Sequence, residues 1–451
     1  MAPPKMLQLK HMANTIVRRL SILIVAAVFL GLAWRQNLLV DRYAVNMMYW
    51  DQWDFYIPLF QHAGPWAVFT DQHGPHREGV GLLVTEVLAK LSGWNSRWDA
   101  FGVSYCLIAA GGLALVLARR CGVSSVLPLA AVPLLSFNIH EYETFIGPAN
   151  LSHGGMPVLL LMLYCLAWFI RNARWRWLTL GALTFLLIFT GFGFFAGLLT
   201  PPLAIVEAIQ ASRGGERERA WLAISGLGMS AVSWALFLHD YYFLNLVPSG
   251  PASIGQILCF LSLMMDKFFG VPGFGPASVG FGMTVALVVA LIGVCHARKV
   301  LLRGVAENPR STVLFCLTTY ALIYCFVTAY GRAAGNPAAS RYVPLTMPAG
   351  LAIFLVLAGV GGRLQSAFLG IAYAVLLAIG TTHLQSAEME SIRFYSQGRQ
   401  AWKAAYLATH DEAKADAASH FAVFPRPVPE RLKYLEEHRL NLFLPDAKGG
   451  R

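Results

Sequence analysis

Eleven long apolar stretches punctuate this chain of 451 residues, and no other feature restricts its folding as severely. A helix that crosses a bilayer needs about 20 apolar residues. Inside hydrocarbon every backbone amide and carbonyl must find a partner within the protein, which leaves helices for runs of this kind. The stretches lie at roughly 17–40, 100–118, 123–138, 155–170, 177–194, 195–210, 220–239, 278–297, 311–330, 342–361 and 365–383. Only 13% of the residues are charged, against roughly 25% in an ordinary soluble domain, so the fold class expected is an all-α polytopic membrane protein. The least regular stretch, TFLLIFTGFGFFAGLLTPPLAIVEAI, is interrupted by Gly191, Gly193, Gly197, Pro201 and Pro202. A hairpin of two short helices, or a re-entrant segment, suits it better than one straight span, because glycine and proline release backbone groups that need partners. The first run follows Lys5, Lys10, Arg18 and Arg19 as a secretory signal would, but it ends in Trp34, Arg35, Gln36 and Asn37 without a small-x-small site. It is expected to be a retained helix.

Orientation follows from the basic residues. With the N-terminus cytoplasmic, the inner segments hold seventeen lysines and arginines and four acids, Glu207, Glu216, Glu218 and Glu307, which is the bias cytoplasmic loops carry. The expectation is an integral inner (plasma) membrane protein with its C-terminus outside. A net charge of +11 would also suit a nucleic-acid binder, but no basic stripe with interleaved stacking residues appears, so the bilayer and not nucleic acid is the expected partner. The seven cysteines mostly lie inside apolar runs with no metal-type or paired spacing, and they are read as small core residues. Two units result: a transmembrane part, 1–383, with a long first outer loop at 41–99, and a polar C-terminal region, 384–451, expected to form a small helical appendage outside.

Three polar stretches face the same side in this topology. The first, WDQWDFYIPLFQHAGPWAVFTDQHGPHRE at 50–78, mixes Asp51, Asp54, Asp71, His73, His76, Arg77 and Glu78 with seven aromatic residues. Rings suit the headgroup level while carboxylates and imidazoles face water, so interfacial helices carrying a site are expected here. The second, NIHEYETFIGPANLSHGG, contributes His140, Glu141, Glu143, Asn150 and His153; the third, YGRAAGNPAASRYVPLTMP, contributes Arg332, Asn336, Arg341 and Tyr342. A fourth outer loop, 240–277, is rich in glycine and proline and suits an interfacial segment or a lid.

Carboxylates in two loops and arginines in a third suggest a division of labour. Carboxylates take a proton from an attacking hydroxyl or hold a divalent cation, and arginines hold a departing phosphate through bidentate charge-assisted bonds. At this point the chain resembles the GT-C superfamily of integral membrane glycosyltransferases, which includes the protein O-mannosyltransferases and the lipid A aminoarabinose transferases. The resemblance rests on the acidic motif after the first helix, WDQWDFY, the acidic residue of the second outer loop, YETF, and the late SRYVPLTMP; it covers roughly 15–385. It implies a polyprenyl-phosphate sugar donor, an inverting transfer to a glycan, lipid or protein acceptor, and a site at the outer membrane boundary. Asp51 or Asp54 would then be the general base and Glu143 the second acidic position. Arg341 and Tyr342 would match the late motif, with Arg332, His73, His76, Arg77, Glu78, Glu141 and Asn150 as substrate contacts. The first motif lacks adjacent acids and the second loop lacks an Asp-x-Asp, which leaves the choice of aspartate and any need for a cation open.

Structural roles compete for the same residues. Asp51 and Asp54 would serve equally as caps of an interfacial helix. Glu141 and Glu143 would pair with Arg332 or Arg341, and Arg341 and Tyr342 would act as ordinary interfacial anchors. A transporter or flippase is the rival from another class, and a non-catalytic scaffold a third. A transporter would place charges near mid-span and relate its two halves, and neither feature appears in the runs.

Overall fold

The computed structural model describes residues 4–243, 252–333, 335–337 and 339–444. It is an all-α polytopic membrane protein. Eight helices are long and apolar enough to cross a bilayer: Thr15–Tyr43, Arg97–Arg120, Gly191–Arg213, Arg217–Leu238, Pro276–Arg303, Pro309–Arg332, Ser340–Leu357 and Arg363–Thr381. The other three expected spans form shorter pieces. Gly155–Ala167 and Ala173–Ile188 are single helices, whereas 123–138 becomes a 3-10 turn, Leu127–Ala130, followed by the six-residue helix Ala131–Ser136. Pro128 and Pro133 explain the break, since each lacks an amide donor and crowds the preceding turn. The stretch at 177–210 forms a hairpin: Ala173–Ile188 descends to a tight turn at 189–199, and Thr200–Arg213 returns.

The ends of the bundle differ in charge. Arg18, Arg19, Arg119 and Arg363 line one recess, and the helices that carry them run from there to the opposite end. At that opposite end the polar loops form a second layer. In the first outer loop, helices Gln52–Phe55, Ile57–Phe60, Pro65–Thr70 and Gly79–Ser92 surround a two-residue hairpin, Gln72–His73 against His76–Arg77. Of the fourth outer loop, Ile254–Phe268 is a helix opened by a Ser253–Gln256 capping box, and its apolar face is buried in the bundle. Residues 244–251 of the expected lid lie outside the described residues.

The C-terminal region is not the separate appendage that its polar composition suggests. Helices Ser386–Thr409, Glu412–Ser419 and Pro429–Glu437 share one hydrophobic core with the first outer loop, in which Trp402, Leu432 and Leu435 pack with Trp53, Tyr56 and Trp94. Arg399 ties this layer together. Its buried guanidinium donates to the carbonyls of Val45 at 2.6 Å, Ile146 at 2.8 Å and Gly147 at 3.1 Å, so one side chain bridges the first loop, the second loop and the tail. Asn441 adds a second bridge, donating from Nδ2 to the Trp94 carbonyl at 2.6 Å and accepting from the Met48 amide at 3.3 Å. Buried polar groups of this kind are costly unless paired, and here the pairing fixes how the loops assemble over the bundle.

Candidate active site

The site begins with backbone geometry. Gly74 at φ +60° turns the short hairpin so that His73 and His76 stand directly opposite each other, and opposed residues of an antiparallel pair share a face. Gly79 and Gly191 let three loops close on them. At φ +51° and +49°, both lie where L side chains rarely sit, and a Cβ would meet the Phe189 carbonyl oxygen at 1.9 Å or the Ser152 carbonyl oxygen at 1.8 Å. No residue but glycine fits at either position.

His153 from the second loop meets the two hairpin histidines, its ring 5.1 Å from that of His76 and 6.1 Å from that of His73. Phe55 and Phe192 pack edge-on or tilted against the same imidazoles. Beneath them Glu78 is fully buried. Its Oε1 lies 3.1 Å from His153 Nε2, and its Oε2 accepts from Asn150 Nδ2 at 3.0 Å. Burial alone would raise the Glu78 carboxyl, but the charge and hydrogen bond of His153, the charge of His73 and the Asn150 amide hold it at about 2. His76 goes the other way: burial, with His153 and His73 nearby, pushes it well below its ordinary value. Its Nδ1 has no hydrogen-bond partner among the described residues. The cluster therefore offers a neutral, desolvated imidazole backed by a buried anion.

His76 opens onto a cavity of about 780 Å³. Most of its wall is apolar, built from Phe192, Phe194 and Phe195 of the hairpin turn, from Trp234 and Phe237 of the helix Arg217–Leu238, and from Tyr241 just beyond that helix. The polar end holds His76, Arg332, Asn336, Arg341 and Tyr342. Arg341 lies with its guanidinium carbon 5.6 Å from the centre of the Tyr342 ring, and it feels the charges of Glu143 and Asp51. Asp51 also acts on His73 and Tyr49. The first outer loop and the final third of the chain thus both contribute to the cavity wall, through His76 and through Arg332, Arg341 and Tyr342, while Asp51 is not among the lining residues and acts on Arg341 through its charge.

The two aspartates separate. Asp51 occupies the first position before the helix Gln52–Phe55 but makes no capping bond, and its carboxylate has no ion pair among the described residues. Asp54 turns to the tail, 3.4 Å from Arg426 Nη2 and 3.5 Å from Arg431 Nη1. Glu141 and Glu143 separate as well, because a 3-10 turn at Ile139–Glu141 precedes the helix Glu143–Ile146. Glu141 is buried against Arg35 rather than facing the cavity, and burial pushes its carboxyl well above the ordinary range. Glu143 has both oxygens engaged: Oε2 accepts the Arg341 amide at 3.2 Å and Oε1 the Tyr395 hydroxyl at 2.9 Å. It holds the Ser340–Tyr342 turn in place instead of standing free to take a proton. Glu141→Gln is accordingly expected to leave thermal stability unchanged, since the amide mimics the protonated acid. Glu143→Ala should lower the melting midpoint by loosening the Ser340–Tyr342 turn, and Glu143→Gln, which keeps an acceptor for the Arg341 amide, should restore most of it.

Arg77, expected as a substrate contact, is engaged with backbone. Its buried guanidinium donates to the carbonyls of Phe237 at 2.9 Å, Thr70 and His239, clamping the first loop to the helix Arg217–Leu238. Asp71 beside it is half-buried, and burial, reinforced by Glu78 and opposed by Arg77, lifts its carboxyl from 3.8 to about 6. A raised folded-state value means that the contribution of Asp71 to stability is complete below about pH 4 and is lost as pH rises through 6. Asp71→Asn should therefore match the parent's melting midpoint near pH 4 and exceed it near pH 8; equal midpoints at both pH values would contradict this environment.

Sequence reasoning did not single out Tyr395, Arg399 or the Glu78–Asn150–His153 network. Among the described residues no group of three or more His, Cys, Asp or Glu side chains is arranged to hold a metal ion. All seven cysteines are free thiols. Comparison of the chain with protein-family models, with curated proteins and with solved structures finds no match.

Proposed function

We propose that this protein is a membrane glycosyltransferase that moves a sugar from a polyprenyl-phosphate donor to an acceptor at the outer face of the membrane, with eleven passes and the site end outside. The observation that carries this reading is a cavity whose wall is largely aromatic and apolar and that also takes in the guanidinium-bearing Arg332 and Arg341. A polyprenyl chain matches the first part and a phosphodiester the second, whereas a soluble sugar nucleotide would leave the apolar wall unused.

The chemistry follows from the positions of the charged groups. The acceptor hydroxyl gives its proton to Asp51 as its oxygen attacks the anomeric carbon from the face opposite the phosphate. The bond from that carbon to the phosphate oxygen breaks, and its electron pair leaves with the phosphate. Arg332 and Arg341 stabilise the charge that develops there. His76 presents an unpaired nitrogen at the same end, suited to a phosphate or sugar oxygen. Glu143 and Tyr395 act through Arg341 as positioning residues.

The test is to incubate the purified protein with a panel of polyprenyl-phosphate sugars and an extract of envelope acceptors, with and without chelator, and to follow release of polyprenyl phosphate. Release with one donor is the expected result. Failure of every donor, in a preparation shown to be folded and monodisperse, would set the reading aside.

A further inference from the structure

The end of the bundle away from the active-site cavity carries a second recess, of about 870 Å³, between the first helix, the turn after Arg120 and the helix Arg363–Thr381. Arg18, Arg19, Arg119 and Arg363 all line it, and no aspartate or glutamate does. None of the four makes an ion pair among the described residues. Arg119 spends one nitrogen on the carbonyls of Val123 and Ser124, both at 2.8 Å, which fixes its guanidinium at the rim, and Arg18 lies close enough to repel it. Four like charges drawn from three elements into one recess are unfavourable unless something anionic joins them.

The same end of the molecule shows how this chain neutralises arginines when it does so internally. Arg176 and Arg219 share the buried Glu207 at 2.6 and 2.9 Å, and Arg219 also reaches Glu216 and Glu307. No such partner is supplied at the recess. Its remaining wall combines hydroxyls, Ser21, Ser124 and Ser125, with apolar side chains such as Ile22, Leu127 and Ile371. That combination fits a phosphate ester whose other end is hydrocarbon: guanidiniums pair bidentately with phosphate oxygens, hydroxyls donate to the remainder, and acyl chains follow the helix surfaces. Basic pockets between transmembrane helices are suited to anionic headgroups.

We infer that this recess is a binding site for the phosphate headgroup of an anionic phospholipid, set between the first helix and the helix Arg363–Thr381. The assignment is independent of the proposed transfer reaction. It is tested on the full chain purified in neutral detergent and exchanged into an equimolar mixture of phosphatidylglycerol and phosphatidylcholine, with retained lipid measured by native mass spectrometry. Phosphatidylglycerol should be retained at least tenfold over phosphatidylcholine, and Arg119→Gln with Arg363→Gln should reduce the preference to near unity. Arg174→Gln with Arg217→Gln, at a different place on the same end, should leave it intact. Should the double variant be unstable, the single exposed substitutions Arg18→Gln and Arg363→Gln should each lower the preference several-fold. Equal retention of both lipids, or a preference untouched by these substitutions, would overturn the site. In a separate arm, millimolar inorganic phosphate that displaces the retained lipid would reassign the recess to a soluble anion and overturn the lipid.

Discussion

Asp51→Asn is expected to reduce sugar transfer by a factor on the order of 10²–10⁴, the range that a general base supplies, while Asp54→Asn stays within a few-fold of the parent. The contrast is informative because the two residues lie three apart in one short acidic motif and the sequence alone treats them alike. Asp51 is within electrostatic reach of His73 and of Arg341, which lines the cavity. Asp54 faces Arg426 and Arg431 across a partly solvated surface, where an ion pair contributes about 0–1 kcal/mol. Its loss should appear as a small fall in melting midpoint, not in turnover. Initial rates under saturating donor, with membrane insertion checked by gel filtration, measure both. If Asp54→Asn were inactive and Asp51→Asn active, the assignment of the base would be reversed.

The second large effect is expected at the cationic end. A charge-assisted hydrogen bond is worth roughly 1.5–3 kcal/mol, so Arg341→Ala should raise the donor KM or Kd about 10–100-fold. Arg341→Lys should recover only part of this, because an ammonium replaces a planar fork with a point charge. Arg332→Ala should act in the same direction and less than additively, since the two cations would share one phosphate. Affinity for a polyprenyl phosphate without sugar should fall in parallel, which separates phosphate binding from recognition of the sugar. Unchanged affinity in both alanine variants would remove the phosphate clamp.

Much of this architecture can be read from the sequence because hydrocarbon imposes a simple rule on long apolar runs. The glycines and prolines between 191 and 202 point to a hairpin or a re-entrant segment, and of the two the structure has the hairpin. Pro128 and Pro133 were equally visible, yet the run around them reads as a span by hydropathy alone. Periodicity says which segments are apolar and not how far a proline-broken segment extends.

The three polar loops were legible as a group: the first and third line one cavity, and Glu143 of the second holds the Arg341 backbone amide. Roles within the group were not. Arg77 and Arg341 look alike in sequence, but one is spent on backbone carbonyls and the other faces open space. Glu78 reads as a substrate contact in the sequence, and the structure shows it as the buried partner of His153. Tyr395 lies 252 positions from the Glu143 it holds, and no local pattern encodes such a pairing. The tail is the clearest case. Its composition is polar, so it resembles an appendage, but the few apolar residues it contains, Trp402, Leu432 and Leu435, complete a core that the first outer loop cannot close by itself.

The most direct test of the central claim is photo-crosslinking of the purified protein with a polyprenyl phosphate that carries a diazirine near the phosphate end of its chain, followed by peptide mapping. The label is expected on Phe192, Phe194, Phe237 or Tyr241, with competition by unlabelled polyprenyl phosphate and loss of labelling in Arg341→Ala. Labelling confined to the outer surface of the bundle, unaffected by competitor and by that substitution, would contradict that claim.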